Sequence, residues 1–341
     1  MKRNRAENLR IKRKYIIWLA DAKGHAPASI DKAAAAIDRY SGWLGERSFK
    51  GFNPDWARGF KRHMETAGKG GKPLSAASID QTLRALRSFH AWLADQSGYK
   101  SRVRHSDALY FSPSQRIANS ARGTCWRPHP TVEQWRHALS AMPADTVIER
   151  RDRAVFAFLG LSGSRDKAAA SLSLGNVDLK AGCVHFRGPG VETKYGKVFT
   201  TWFLPVSGEA LNMLEAWTAE LRDAHLFSPH EPLFPKTRVA LGNDHRFGPK
   251  GLSRMPWSSG VRICSIWRQA FEAVGLPGYP AHSVRHMLAE LGSRVCQTPE
   301  ELKAFSQNVG HEDVMTTLRS YGTVPAGRQG EIIRSLDLGQ S

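Results

Sequence analysis

Hydrophobic residues recur at helical spacing through the first part of the chain. Ser29, a candidate N-cap, precedes a stripe formed by Ile30, Ala34, Ile37 and Leu44. Ser75 or Ser78 precedes a second stripe, formed by Ile79, Leu83, Leu86 and Leu93. Each stripe is typical of an amphipathic helix that packs on its neighbours. Residues 1–97 are therefore predicted to form a helical N-terminal domain.

The pattern changes after residue 130, where helical and strand-like segments follow one another. Thr131 and Gln134 have the spacing of a capping box, and a further helix is predicted at about 151–161. Short strands are predicted at 177–179, 183–187 and 198–204. Helices resume from Trp257, and one of them is predicted to begin at Thr298, Pro299 and Glu301, an N-cap, a first-turn proline and a capping-box acid. The sequence thus predicts a two-domain fold that is mainly α, with a small antiparallel β-sheet in a mixed α/β domain at 131–341.

The segment between these domains, 98–130, has little periodicity and is predicted to be a linker. Its basic residues are Lys100, Arg102, Arg104, Arg116, Arg122 and Arg127, against the single acid Asp107. A spacer alone would not need that excess, which favours contact with a nucleic-acid backbone. The first fourteen residues are similarly basic. Arg84 and Arg87 leave the second apolar stripe and are further candidates for DNA contact, although a solvated helix face is the other interpretation.

Bulk composition agrees with a polyanionic partner. The 341 residues include 49 Lys and Arg against 31 Asp and Glu, for a formal net charge of +18. The four cysteines are far apart, which favours neither a zinc site nor a disulfide framework and is typical of a reducing cytoplasm. The longest apolar stretch near the start, 15–20, is too short to span a bilayer or to form a signal peptide.

Six scattered residues of the second half have side chains suited to phosphate chemistry: Arg165, Lys194, His282, Arg285, His311 and Tyr321. His282 and Arg285 are three residues apart on a predicted helix and are expected to project side by side, away from its apolar stripe. Lys194 lies at the tip of the predicted hairpin. Taken singly, each has an ordinary alternative, such as an ion-paired surface arginine, a solvated turn lysine or a core tyrosine.

In this order the six residues resemble the catalytic domain of the tyrosine recombinases, also called phage-type integrases. The likeness extends over about residues 130–325, and the helical N-terminal half resembles the family's core-binding, SAM-like domain in character. Two departures stand out. Many members carry a glutamate where this chain has Ala168, a role that Asp166 would have to take, and the interval from His311 to Tyr321 is one residue longer than is usual.

The resemblance implies a site-specific DNA recombinase or integrase of a mobile element, cytoplasmic and associated with the nucleoid. Tyr321 would be the nucleophile that forms a 3′-phosphotyrosyl bond, with His282 as its base. Lys194 would be the general acid, with Lys197 as a competitor, while Arg165, Arg285 and His311 would stabilise the phosphate. Neither a metal, ATP nor another cofactor is expected. The implied assembly is a homotetramer on two synapsed duplexes, and a monomer or weak oligomer without DNA.

Two other functions remain open from the sequence. A type IB topoisomerase would use the same residues without a partner duplex. A DNA-binding protein could keep the fold without catalysis, and Ala168 leaves that alternative open. Tyr195 is a second candidate nucleophile, less favoured because it lies on the lysine hairpin. The apolar residues of the C-terminal tail are expected to dock on a neighbouring protomer or on their own domain.

Overall fold

The computed structural model describes residues 2–66, 73–122, 128–241 and 246–310. The chain divides into two compact units, residues 1–123 and 124–341. The fold class expected from the sequence is confirmed, because the first unit is helical and the second combines helices with small antiparallel sheets. Among the helices that the structure describes, none has both the length and the apolar composition needed to cross a membrane.

The first unit is built around aromatic side chains. Its elements are α1 (Lys2–Asp21), α2 (Pro27–Leu44), α3 (Pro54–Thr66), α4 (Ala76–Leu93), a 3₁₀ helix (His105–Phe111) and α5 (Gln115–Arg122). Tyr40 packs edge-on against Phe60 and Phe111, and Tyr15 packs against Phe89. Ser75 caps α4 by accepting a hydrogen bond from the Ser78 amide, as one of the two sequence alternatives had it.

Two local predictions for this unit differ from the structure. Ser29 is not an N-cap, because α2 already begins at Pro27, whose fixed φ suits the first helical position. Residues 98–122 are not a free spacer, since four of their apolar side chains are buried in the first unit's core: Tyr99, Val103, Phe111 and Ile117. The predicted DNA contacts Lys100, Arg102 and Arg104 all lie exposed on this segment.

The described part of the second unit contains two separate antiparallel sheets. Its helices are α6 (Val132–Ala141), α7 (Val147–Ser162), α8 (Asp166–Ala170), α9 (Gly208–Ala219), α10 (Val261–Glu272), α11 (Ser283–Val295) and α12 (Pro299–Asn308). Its strands are β1 (Val177–Asp178), β2 (Cys183–Phe186), β3 (Phe199–Trp202), β4 (Pro235–Leu241) and β5 (Phe247–Pro256). The first three form one sheet in the order β1-β2-β3, and β4 pairs with β5 alone.

Helix α7 runs through the core of the second unit. Thr146 and Glu149 form a capping box at its start, which the sequence analysis did not detect. Phe156 and Phe158 are fully buried, and the Phe156 ring lies 4.7 Å from that of Trp267. The helix ends at Gly163, whose φ of +60° places it in the left-handed region. This end leads directly into Arg165.

Gly160 lets the Trp135 indole pack directly on the α7 backbone. A Cβ at this position would overlap the Trp135 ring. We expect Gly160→Ala to lower the free energy of unfolding by about 3 kcal/mol, because a well-packed core resists an added methyl group. The matched control is Gly42→Ala on exposed α2, where no atom lies within 4 Å of the added Cβ. The free energy of unfolding of Gly42→Ala, measured by urea titration, should rise by about 0.5–1 kcal/mol. Equal changes in the free energy of unfolding of the two variants would contradict the prediction.

Candidate active site

Arg165 is positioned by the sharp turn at the end of α7. The Gly163 amide donates to the Leu159 carbonyl at 2.8 Å, and its left-handed conformation turns the chain back over α11 and α12. A side chain at Gly163 would meet Leu288 at 3.0 Å and Val309 at 3.3 Å. The turn is therefore tightly packed, and the half-buried Arg165 follows as the N-cap residue of α8.

Arg285 approaches the same turn from α11. Its side chain is only 4 % exposed, and Nη1 donates to the Gly163 carbonyl at 2.7 Å. Nη2 is buried, and within the described residues it has no hydrogen-bond acceptor. Burial, and secondarily the charge of Arg165, lowers the pKa of Arg285 to about 9. At neutral pH the guanidinium is still protonated, so this site holds a desolvated positive charge.

The β2–β3 hairpin brings Lys194 to the two arginines. Its approach to α8 is fixed by the Glu192 amide, which donates to Ser171 Oγ at 2.8 Å, and by an ion pair between Glu192 and Lys167. The turn is closed by Thr193 Oγ1, which donates to the Lys197 carbonyl at 2.7 Å. Lys194 is exposed at this turn and is therefore accessible to a ligand.

The C-terminal end of α12 is hydrogen-bonded to β3, the second strand of this hairpin. The side chain of Asn308 accepts from the Trp202 amide at 2.7 Å and donates to the Trp202 carbonyl at 2.9 Å, as a neighbouring strand would. Thr201 Oγ1 adds a bond to the Asn308 carbonyl at 2.9 Å. Gly310, with φ of +71°, packs against Phe199. The chain thus reaches residue 310 at the edge of the lysine hairpin.

These elements enclose two adjoining open cavities. The smaller, of about 300 Å³, is lined by Arg165, Lys194 and Arg285 among others. The larger, of about 630 Å³, shares Arg165 and Lys194 and adds Lys197 and Gly310. Clustered cationic donors, one of them buried, are suited to a phosphate.

Of the six predicted residues, the structure brings together Arg165, Lys194 and Arg285. His282 does not line either cavity within the described part of the chain. It is exposed at the N-cap of α11, and its ring lies 5.4 Å from that of His286. The expectation that Arg285 projects beside it is wrong, because Arg285 is buried against the Gly163 turn. His311 and Tyr321, like the C-terminal tail, lie outside the described residues.

Comparison with known proteins decides the family. No protein-family model matches the chain. Tyrosine recombinase XerC of Azotobacter vinelandii is 26% identical over 243 residues, covering 71% of this chain and 68% of that protein. XerC of Halalkalibacterium halodurans is 24% identical and covers 94% of this chain and 95% of its own. The structure of XerH recombinase bound to palindromic difH substrate, a post-cleavage complex, matches at 17% identity with a TM-score of 0.59, covering 92% and 81%.

The Tn1549 transposon integrase in complex with a circular intermediate DNA also has the same fold. Its TM-score is 0.60 at 15% identity, over 96% of this chain and 99% of that one. This chain is a tyrosine recombinase. As an enzyme it belongs to the tyrosine-type site-specific recombinases, which confirms the family expected from the sequence.

The structure shows what surrounds Ala168, one of the departures of this recombinase from the family pattern. Ala168, in the position where many members carry glutamate, is buried in the core of the second unit. Asp166 is turned toward α10 instead, where the Cys264 thiol lies 3.5 Å from its Oδ2 and where it contacts Gly260. Asp166 also borders the smaller cavity, as does Glu192.

Residues that the sequence did not predict hold the elements around the two cavities. Glu192 and Lys167 hold the hairpin, and Asn308 holds the end of α12. No short motif marks Asn308, because its role depends on the exposed edge of β3, which only the sheet order reveals. Glu192 lies two residues before Lys194, and this closeness in sequence was the signal that could have indicated its role in the hairpin.

Proposed function

We propose that this recombinase cuts and rejoins DNA strands through a 3′-phosphotyrosyl intermediate. The observation that carries the proposal is the buried Arg285, whose Nη2 has no acceptor within the described residues, in one cavity with Arg165 and Lys194. A desolvated cation without a carboxylate is costly to fold. Such a cost is expected where the missing partner is an anionic substrate.

The phosphodiester fits this cavity by charge. Attack on phosphorus develops negative charge on the non-bridging oxygens, and a guanidinium presents paired N–H donors to such oxygens. Arg165 and Arg285 supply two of these groups from opposite sides of the Gly163 turn. His311 is proposed as a third donor, and its placement is supported by Gly310, the preceding residue, which lines the larger cavity.

The proposed reaction exchanges one phosphate ester for another. The Tyr321 oxygen forms a bond to phosphorus while the bond to the 5′ oxygen breaks, and the phenol proton passes to His282. Because a phenol has an ordinary pKa of about 10, it requires that base and the neighbouring cations to become a nucleophile. A 5′ hydroxyl of another duplex then attacks the phosphotyrosine and regenerates Tyr321. Ester energy is retained, so the reaction needs no ATP.

Lys194 is the proposed general acid for the leaving 5′ oxygen, because it borders both cavities whereas Lys197 borders only the larger. Lys194→Ala should slow strand cleavage by about 10²–10⁴-fold. A substrate with sulfur in place of the bridging 5′ oxygen should restore the rate, since a thiolate leaves without a proton. Lys197→Ala is the control, with a smaller loss and no rescue by sulfur. If sulfur restores the cleavage rate of Lys197→Ala and not that of Lys194→Ala, then Lys197 is the general acid.

Double-stranded DNA is the proposed partner, with a homotetramer on two synapsed duplexes as the active assembly. Support comes from the net charge of +18 and from the neighbours whose names describe DNA complexes. The named Tn1549 integrase supports the proposal of a mobile element, and a cytoplasmic enzyme associated with the nucleoid would follow.

Covalent capture tests the proposed function. The full chain is incubated with a duplex nicked so that the cleaved end diffuses away, and the adduct is isolated under denaturing conditions and mapped by proteolysis. We expect a DNA-linked peptide that contains Tyr321. DNA binding without any adduct would favour a non-catalytic DNA-binding protein. Adduct without transfer to a second duplex would favour a nicking-closing activity of the topoisomerase IB type.

A further inference from the structure

A two-stranded ribbon, β4 (Pro235–Leu241) paired with β5 (Phe247–Pro256), extends from the second unit. Its outer half is open to solvent, with Val239 58% exposed and Phe247 77% exposed. The register is irregular near the root and regular between Val239–Pro249 and Leu241–Phe247. None of the roles proposed for the residues of the candidate active site involves this ribbon.

The root of the ribbon is held rigidly. The buried Arg151 of α7 donates from Nη1 to the Pro235 carbonyl and to Thr237 Oγ1, both at 3.0 Å. Arg151 also stacks on Trp257, just after β5. Arg151 and Gly163 are twelve helical positions apart, roughly 18 Å along the axis of α7. The ribbon is therefore anchored well away from the cavity that contains Arg165 and Arg285.

The two faces of the ribbon differ in character. Side chains alternate along a strand, and Thr237 points toward α7. Val239 and Leu241 share its face, together with their partners Pro249 and Phe247. Lys236 and Arg238 therefore lie on the opposite face. Arg238 Nη2 donates to the Lys250 carbonyl at 3.2 Å, which places the backbone of Lys250 next to the Arg238 side chain.

This second face carries an excess of positive charge. Residues 235–256 contain five Lys and Arg and a single acid. Arg254 is neutralised by Glu231 at 2.5 Å. Within the described residues, no carboxylate forms an ion pair with Lys236, Arg238 or Lys250. We call these three residues the ribbon cations.

We propose that the ribbon cations form a second DNA-contacting surface, which holds duplex phosphates outside the catalytic cavity. This inference rests on the proposed function. Three clustered cations without carboxylate partners complement a polyanion, and a two-stranded ribbon has the width of the DNA major groove. Phosphate contacts of this kind add affinity independently of base sequence. The rigid root at Arg151 would let the contact fix the register of the duplex relative to the cavity.

The test compares salt dependence in two charge-matched variants of the full chain. One is Lys236→Gln, Arg238→Gln and Lys250→Gln. The control is Lys180→Gln, Arg222→Gln and Arg268→Gln, three exposed cations on other elements. Binding of a fluorescent random-sequence duplex is followed by anisotropy between about 50 and 200 mM salt. Each lost phosphate contact lowers the slope of log K against log salt by about 0.9, so the ribbon variant should lose about 2.7.

At the lower salt concentrations we expect the ribbon variant to bind roughly 10- to 100-fold more weakly. The control should keep the wild-type slope. An unchanged slope in the ribbon variant, or an equal fall in both, would overturn the proposal. Weakened self-association with an unchanged slope would also overturn it and assign the ribbon to a contact between copies. Wild-type protein is assayed for the covalent adduct in parallel, so an inactive enzyme is recognised separately from an unimportant ribbon.

Discussion

The Tyr321→Phe variant is expected to bind DNA as the wild type does and to form no covalent adduct. Phenylalanine keeps the ring and removes only the hydroxyl that would join phosphorus, so binding through the cationic donors should persist. Adduct formation should fall by about 10⁴-fold or more, as it does when a unique nucleophile is removed. The measurement is denaturing electrophoresis of the protein with a nicked duplex, beside anisotropy on the same duplex.

Tyr195→Phe is the matched control for this prediction. Tyr195 lies on the turn between Lys194 and Gly196 and is the alternative nucleophile near the cationic cavity. Its substitution should leave the adduct intact. If instead Tyr321→Phe retains the adduct and Tyr195→Phe loses it, the assignment of the nucleophile is wrong, although a phosphotyrosyl mechanism would stand. Loss of DNA binding in Tyr321→Phe would indicate misfolding, and circular dichroism separates that case.

Secondary structure was predicted best where a local signal sets it. The capping box of Thr131 and Gln134 begins α6, and Thr298, Pro299 and Glu301 begin α12. In both helices the hydrogen bonds form between residues three apart, so sequence spacing alone determines them. The strands β2 and β3 were expected within about two residues of their ends for the same reason, since a glycine-rich turn separates them.

The β4–β5 ribbon was not predicted, because no local pattern specifies it. Pro235, Pro249 and Pro256 interrupt its strands, and register shifts, in which β5 carries extra residues, disrupt the strand pairing near the root. What holds it is the tertiary bond from Arg151, more than 80 residues earlier in the chain. The 98–122 segment was missed in the same way, since its few buried side chains are too widely spaced to form a periodic pattern.

For the candidate site, the sequence predicted which residues are present better than it predicted how each of them is buried. The order of residues that this chain shares with the family indicated Arg165, Lys194 and Arg285, and the structure places these three around one cavity. No pattern in the sequence indicated that Arg285 would be buried, because helical periodicity assigned it to a polar face. Its burial follows from the Gly163 turn, which is folded over α11 by contacts of Leu288 and Val309. The balance of charge in the site is therefore a property of tertiary packing.

That balance of charge leads to opposite expectations for Arg285 and Arg151, two buried arginines of the second unit. Arg285 has no ion-paired carboxylate within the described residues, whereas the fully buried Arg151 donates from Nη2 to Asp152 at 2.7 Å. Burial lowers the pKa of both arginines, but at Arg151 the charge and the hydrogen bond of Asp152 oppose the shift. At Arg285 the charge of Arg165 adds to the shift, so the protonated form of Arg285 is less stable in the fold than in the unfolded chain. At neutral pH, below the folded pKa of about 9, the group is charged and this cost is fully present.

Arg285→Met should accordingly raise the free energy of unfolding by roughly 1–3 kcal/mol in urea titrations, because methionine fills similar space without a charge. Strand cleavage should fall by at least about 10²–10³-fold, the effect of removing one donor to the developing charge. Arg151→Met should have the opposite effect and lower the free energy of unfolding by about 2–4 kcal/mol, because Asp152, the Pro235 carbonyl and Thr237 Oγ1 lose their buried partner. If Arg285→Met proved as destabilising as Arg151→Met, the buried charge would be compensated in the free protein. The Nη2 group would then not be reserved for a phosphate, and the site would have to bind its substrate through Arg165 and Lys194 alone.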